Sequence, residues 1–304
     1  MFVGHALLAF SLMALAAERL GVSRERALTL GAFAGLFAAV PDVDVVYAPV
    51  GLLLRSVNSL GPDVFWETAN VIHRGPTHSL VMGAILAVAV ALWVSGSNPN
   101  RTLSVGVIGA LVAVATLFSG AVGGLVILVY GLGGLAVALM AERFGLSRRE
   151  VFAVAFVGLL SHPFGDLFTG SPPPMLYPFE VTLVAERILL HPDPTGHLLA
   201  AFGVELATVW LAVWTYARQR GYTLPELVYP RASLGVGYAV AAFVLPAPTL
   251  DQSAHFVFSV LALSVVGAPY RPFSRDIHWL KTLVTGLAAV TIAAIAYSLM
   301  YGLL

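Results

Sequence analysis

Apolar residues along this chain form unbroken runs, as at 80–94, 103–118 and 283–300, and charged residues collect in the short connections between them. A helix needs about 20 apolar residues to cross a bilayer. Lipid offers a backbone amide no partner, so only helices and closed barrels span it, and these runs are far longer than barrel strands. The pattern predicts an all-α, polytopic integral membrane helix bundle of about ten transmembrane helices. They fall near 3–17, 27–41, 77–95, 102–118, 120–140, 150–167, 197–217, 232–247, 254–269 and 279–302. A single helix over 103–140 would reach about 57 Å, too long for one crossing, so Ser119-Gly120 is expected to turn tightly between two helices.

A repeat supports this division. Ala17-Glu18-Arg19-Leu20-Gly21-Val22-Ser23-Arg24 recurs 124 positions later as Ala141-Glu142-Arg143-Phe144-Gly145-Leu146-Ser147-Arg148. Each copy separates two apolar helices, and the helix after it ends in an aspartate, Asp42 or Asp166, at the same offset. Gly21 and Gly145 suit the C-terminal caps of the first helix, and Ser23 and Ser147 suit the N-caps of the next. Both copies run in the same direction, which predicts a parallel hairpin pseudo-repeat.

Composition narrows the class. Charged residues make up 11% of the 304, against roughly 25% in a soluble domain, and mean hydropathy is +0.88. The formal charge is zero, with no polybasic tail, so no nucleic-acid partner is expected. Cysteine is absent, which excludes disulfides and thiolate ligands and leaves a metal to nitrogen and oxygen donors. Met1-Phe2 leads into an apolar stretch without a charged region before it, so a cleaved signal peptide is not expected. Alternate connections carry 13 basic residues, whereas the others hold Arg55, Arg74 and Arg187. Lys and Arg favour the cytoplasmic side. The chain is therefore expected to lie in the plasma membrane with both termini outside.

Seven histidines and carboxylates of the first six spans then fall at the outer, extracytoplasmic face. His5 opens the first helix, and Pro41-Asp42-Val43-Asp44 ends the second. The following loop delivers His73-Arg74-Gly75-Pro76-Thr77-His78-Ser79 into the third. His162 and Asp166 close the sixth at a spacing that puts both on one helical face. Ionisable groups beside lipid are costly, and their convergence marks a functional site. Imidazole and carboxylate suit Zn²⁺ first, with Mn²⁺ or Fe²⁺ as alternatives. The metal ligands expected are His5, Asp42, Asp44, His73, His78, His162 and Asp166. Seven candidates exceed one tetrahedral shell, so the site is expected to hold one or two ions, with the surplus orienting the ligands. Thr77 and Ser79 are expected to cap the third helix. His191, His197, Asp251 and His255 lie on the same side as interfacial residues, and Glu205 lies within the seventh span.

These motifs together resemble the YdjM-like family of membrane-bound metal-dependent hydrolases. The resemblance rests on His5, Pro41-Asp42-Val43-Asp44, His73-Arg74-Gly75 with Thr77-His78-Ser79-Leu80, Ser161-His162, Asp166, Thr169 and Leu176-Tyr177-Pro178, across about residues 1–180. It implies a divalent-metal hydrolase in the membrane. A more distant similarity in His/Asp usage to zinc-dependent phospholipases C suggests phosphoester substrates, by analogy alone.

The organisation expected is a metal-binding membrane domain over 1–180, followed over 181–304 by a proline-rich outer loop and about four further helices. The function expected is metal-assisted hydrolysis of a phospholipid or other lipid-like phosphoester by a metal-activated water. Asp44 would act as the general base, and Arg74 would hold phosphate, stabilise developing charge or simply pair with an aspartate. Two other readings stand beside it. A transporter places ionisable groups near the midplane, and a non-catalytic scaffold uses a closed metal shell to clamp helices.

Overall fold

The computed structural model describes residues 2–47, 74–94, 96–268 and 278–302; His73, one of the expected ligands, lies outside them. The described residues form helices and turns without strands. They make two compact units, Met1–Arg187 and Ile188–Leu304.

The first unit holds α1 (Phe2–Arg19), α2 (Arg24–Ala38), α3 (Leu80–Val94), α4 (Asn98–Arg143) and α5 (Arg148–Gly165). α4 is not one straight rod. Gly120 takes φ 72° and ψ −175°, a region essentially reserved for glycine. A Cβ on Gly131 would lie 2.7 Å from Ile108 Cγ2. In a continuous helix those residues would stand about 34 Å apart. The tract therefore folds back at Gly120 into two antiparallel arms, as the turn expected at Ser119-Gly120 requires.

The repeat is built into the fold. Gly21 and Gly145 both have left-handed φ, 79° and 70°. At matching positions Val22 N–H reaches the carbonyl of Ala17 and Leu146 N–H that of Ala141, each at 3.0 Å. Ser23 and Ser147 cap α2 and α5 through their side chains. α2 and α5 then pack so that equivalent positions face each other. Arg26 pairs with Glu150 through two bonds of 2.8 and 2.7 Å. A Cβ on Gly158 would stand 2.4 Å from the carbonyl oxygen of Ala34, and His162 bonds the carbonyl of Ala38 at 2.7 Å. All three contacts join residues 124 apart, so a pseudo-two-fold axis runs between the two helices. Small residues let the backbones approach, as suits packing in lipid.

The second unit contains α6 (Pro194–Arg220), a 3₁₀ segment Pro230–Val240 continuing into α7 (Ala241–Val244), α8 (Ala254–Ala262) continuing into the 3₁₀ turn Leu263–Gly267, and α9 (Trp279–Tyr301). The eighth and ninth expected spans thus become short, partly 3₁₀ segments. Glycines let them pack closely: a Cβ on Gly235 would lie 2.3 Å from the Ala289 carbonyl oxygen, and one on Gly267 would lie 2.3 Å from that of Thr282. These segments lie against α9 backbone to backbone.

Among the described residues, five tracts are long and apolar enough to cross a membrane: Arg24–Val45, Asn98–Arg143, Arg148–Phe168, Pro194–Arg220 and Trp279–Tyr301. The full ten are not reached by that measure, partly because the folded α4 is a single tract. Leu103, Val105, Leu117, Phe118, Leu125 and Leu132 of α4 are 53–82% exposed. An apolar face of that extent belongs in lipid.

Candidate metal centre

Three chain segments meet where α1 begins and α2 and α5 end. α2 gives way to the 3₁₀ turn Pro41–Tyr47, which presents Asp42 and Asp44. α5 ends at Gly165, and the turn Asp166–Phe168 follows. Before α3, the turn Pro76–His78 carries a proline at its start, where the missing N–H costs nothing. His78 and His162 are fully buried, Asp166 is 2% exposed and His5 3% exposed. The side chain of Asp42 is 11% exposed, and is the most open of the group.

Four donor atoms gather at the centre. His162 Nε2 stands 3.0 Å from His78 Nε2, 3.4 Å from Asp42 Oδ1 and 3.8 Å from Asp166 Oδ2. His78 Nε2 stands 3.2 Å from Asp166 Oδ2 and 3.8 Å from Asp42 Oδ1. Four ligands set tetrahedrally about a zinc-sized ion at about 2.0–2.1 Å stand about 3.3–3.4 Å from one another. The five separations that involve a histidine bracket that value.

Hydrogen bonding fixes which way each ring faces. His162 Nδ1 lies 2.7 Å from the Ala38 carbonyl, which can only accept, so Nδ1 carries the proton and Nε2 a lone pair. His78 Nδ1 lies 2.9 Å from Thr77 Oγ1 and 3.5 Å from Asp44 Oδ2. The Thr77 hydroxyl donates to Asp44 at 3.0 Å, so its oxygen is left to accept from His78 Nδ1–H. His78 Nε2 then carries a lone pair as well. Two lone pairs 3.0 Å apart repel unless a cation lies between them. Asp166 Oδ2 is buried with no hydrogen-bond partner, although an unsatisfied buried carboxylate oxygen is costly. The donor set therefore fits a divalent cation.

His5 and Arg74 meet the other oxygen of Asp166, and His5 shares metal-ligand spacing with His162 and Asp166. Asp166 Oδ1 meets Arg74 Nη2 at 3.2 Å and His5 Nε2 at 3.4 Å. The His5 ring also stacks on that of His162 with centroids 4.0 Å apart. A Cβ on Gly165 would lie 2.5 Å from the His5 ring, so that ring needs glycine there. Arg74 donates from Nη2 to Thr169 Oγ1 at 2.9 Å and from Nη1 to the Ser171 carbonyl at 3.3 Å. Its backbone takes φ 66°, unusual for a residue with a side chain. Its N–H donates to Asp44 Oδ2 at 3.2 Å.

This geometry redistributes the expected roles. The expected ligands fall into two groups with metal-ligand spacing that share His162: Asp42, His78 and His162, and His5, His162 and Asp166, the donor atoms of each within 4.8 Å of one another. Asp44 lies behind His78, on the Nδ1 side away from the centre, and is 1% exposed. Its Oδ2 accepts from the Thr77 hydroxyl and from the Arg74 N–H. Arg74 takes the aspartate pairing that stood beside the phosphate reading, its Nη atoms meeting Asp166, Thr169 and the Ser171 carbonyl. Thr77 does not cap α3; Ser79 does, accepting the N–H of Val81 and Met82 at 3.2 and 3.3 Å. The Ala38 carbonyl has no side-chain signature, and only the 124-residue offset pointed to it.

The start of the proline-rich loop is tied down beside the cluster. Leu80 N–H donates to the Met175 carbonyl at 2.8 Å and Ser79 Oγ to that of Tyr177 at 2.7 Å. The Tyr177 hydroxyl lies 2.9 Å from Ser119 Oγ at the α4 turn.

No curated protein and no solved structure matches this chain. A family match does exist, and it runs well past residue 180, where the recognisable motifs stop. It covers every residue of the cluster and continues through α6 and the 3₁₀ segment to α7. Matched over residues 1–244, this multi-pass membrane chain belongs to the YdjM inner membrane protein family.

Proposed function

We propose that the chain is a metal-dependent hydrolase embedded at the extracytoplasmic face of the membrane, acting on the phosphoester of a lipid-like substrate. The observation that carries the reading is the convergence of Asp42 Oδ1, His78 Nε2 and Asp166 Oδ2 on the buried His162 Nε2, at 3.4, 3.0 and 3.8 Å. These four would hold a single divalent ion, Zn²⁺ before Mn²⁺ or Fe²⁺. Such an ion would act as a Lewis acid and lower the pKa of water from 15.7 towards roughly 7.

The chain's own residues prepare that chemistry. The Ala38 carbonyl and the Thr77–Asp44 pair fix both imidazoles with Nε2 inward. Arg74 and His5 hold the outer oxygen of Asp166, a carboxylate support of the kind that tunes metal sites. Asp42 is the ligand with an exposed edge, so water and substrate would arrive there. Its carboxylate, in place of Asp44, is the group suited to take a proton from water.

The same burial favours a second reading, a scaffold in which four protein ligands close the shell and the ion clamps α2, α3 and α5. One set of measurements separates the two. Purified protein is expected to carry one divalent ion per chain, falling in His162→Ala and Asp166→Ala. It is expected to hydrolyse phosphoester lipids in mixed micelles, with turnover lost on chelation. Metal-dependent thermal stability without turnover on any phosphoester lipid would favour the scaffold, and absence of bound metal would remove both readings.

A further inference from the structure

The second unit carries a groove that the metal centre does not use. α6 and α9 run antiparallel, as the bond from the Tyr301 hydroxyl to Asp193 Oδ2 at 3.3 Å requires of their ends. Between them lie two cavities, each of about 440 Å³. Both are lined by Leu199 and Ser298, so they adjoin along the groove.

The two halves differ in chemistry. The deeper half is apolar, reaching from Leu199 past Gly203 and Leu206 to Trp210, whose Nε1–H is satisfied by Thr291 Oγ1 at 2.9 Å. The outer half is lined by His191, Asp193 and Tyr301. His191 Nδ1 accepts the Asp193 N–H at 3.0 Å, which leaves Nε2 as a donor nitrogen. One end of the groove thus offers a carboxylate beside an imidazole N–H. From Gly196 to Trp210 it follows α6 for about 21 Å, more than the roughly 15 Å of one hydrocarbon leaflet. Its walls are two of the tracts long and apolar enough to cross a membrane, where water does not enter and an alkyl chain does.

We propose that this groove binds one phospholipid whose headgroup carries an ammonium beyond its phosphate. An acyl chain lies along Leu206 and Trp210, the phosphate accepts from His191 Nε2–H, and the ammonium pairs with Asp193. Amphiphile shape and charge complementarity both select this occupant over an anionic lipid, whose headgroup would meet the Asp193 carboxylate unfavourably.

The test uses the full-length protein in vesicles of equal phosphatidylethanolamine and phosphatidylglycerol, with bromine placed on the acyl chains of one or the other. The Trp210 signal is the difference between wild type and Trp210→Phe. Quenching curves are expected to favour the ethanolamine lipid by about fivefold, the strength of one partly exposed ion pair. Asp193→Asn keeps an N-cap residue for α6 while removing the charge, and is expected to bring the two lipids to parity. A Cβ on Gly203 meets nothing within 4 Å. Gly203→Leu therefore fills the groove without straining the fold, and is expected to abolish the Trp210 quenching by either lipid. Equal quenching in wild type, a preference that survives Asp193→Asn, or quenching unchanged in Gly203→Leu would each overturn the proposal. None of these outcomes depends on metal or hydrolysis.

Discussion

Gly158→Ala tests the link between helix packing and the metal centre. The added Cβ would stand 2.4 Å from the Ala34 carbonyl oxygen and 2.7 Å from Phe37 Cβ, where ordinary contact begins at 3.4 Å. Both neighbours belong to α2, one backbone and the other the base of a buried ring, so neither can swing aside. α2 and α5 must part by about 1 Å, an overpacking strain of roughly 1–3 kcal/mol. One turn further along α5, the His162–Ala38 bond of 2.7 Å spans the same interface. Parting the helices stretches it to about 3.7 Å, beyond hydrogen-bonding range, and exposes the His162 ring to reorientation. Losing a partner that orients a ligand typically costs 10–100-fold in metal affinity. The assay is a chelator-competition titration of the purified protein, with thermal unfolding measured in the apo and metal-loaded states. Gly109→Ala, where a Cβ meets nothing within 4 Å, serves as the control and should gain up to about 1 kcal/mol from helix propensity. Affinity and unfolding temperature in Gly158→Ala equal to wild type would refute the reasoning, because the helices would then have yielded without disturbing the ring.

Three further outcomes are expected. Thr77→Val removes the hydroxyl that links Asp44 to His78, and should cost about 1–3 kcal/mol of stability in thermal unfolding, with a 10–100-fold weaker metal affinity; an unchanged affinity would free His78 from that support. Gly120→Ala forces a side chain onto φ 72° at the α4 turn and should destabilise by about 1–3 kcal/mol, whereas a neutral result would contradict the folded-back arms. A cysteine replacing Ser171 in this cysteine-free chain should react with an impermeant maleimide added outside intact cells; labelling only after lysis would reverse the orientation expected from the arginines.

The sequence by itself determined that the chain is a helical membrane protein, because long apolar runs leave the backbone no other way to satisfy its amides in lipid. It also marked the repeat, its glycine and serine caps, and the turn at Gly120, since each depends on local backbone preference. The histidine and aspartate motifs were visible for the same reason: few polar residues occur in such a chain, so their positions stand out. What the tertiary structure decided was which donors share a centre and which stand behind it. Asp42 and Asp44 are two residues apart in one turn, yet one reaches Nε2 of His78 and the other Nδ1. That difference depends on how α2 meets α3 and α5, through contacts far apart in sequence. Arg74 turned inward and the Ala38 carbonyl became a histidine anchor for the same cause. The close approach of 230–240 and 263–267 to α9 likewise rests on Gly235 and Gly267 meeting its backbone. Hydropathy registers how apolar a segment is, and it carries no information about how closely that segment must approach another.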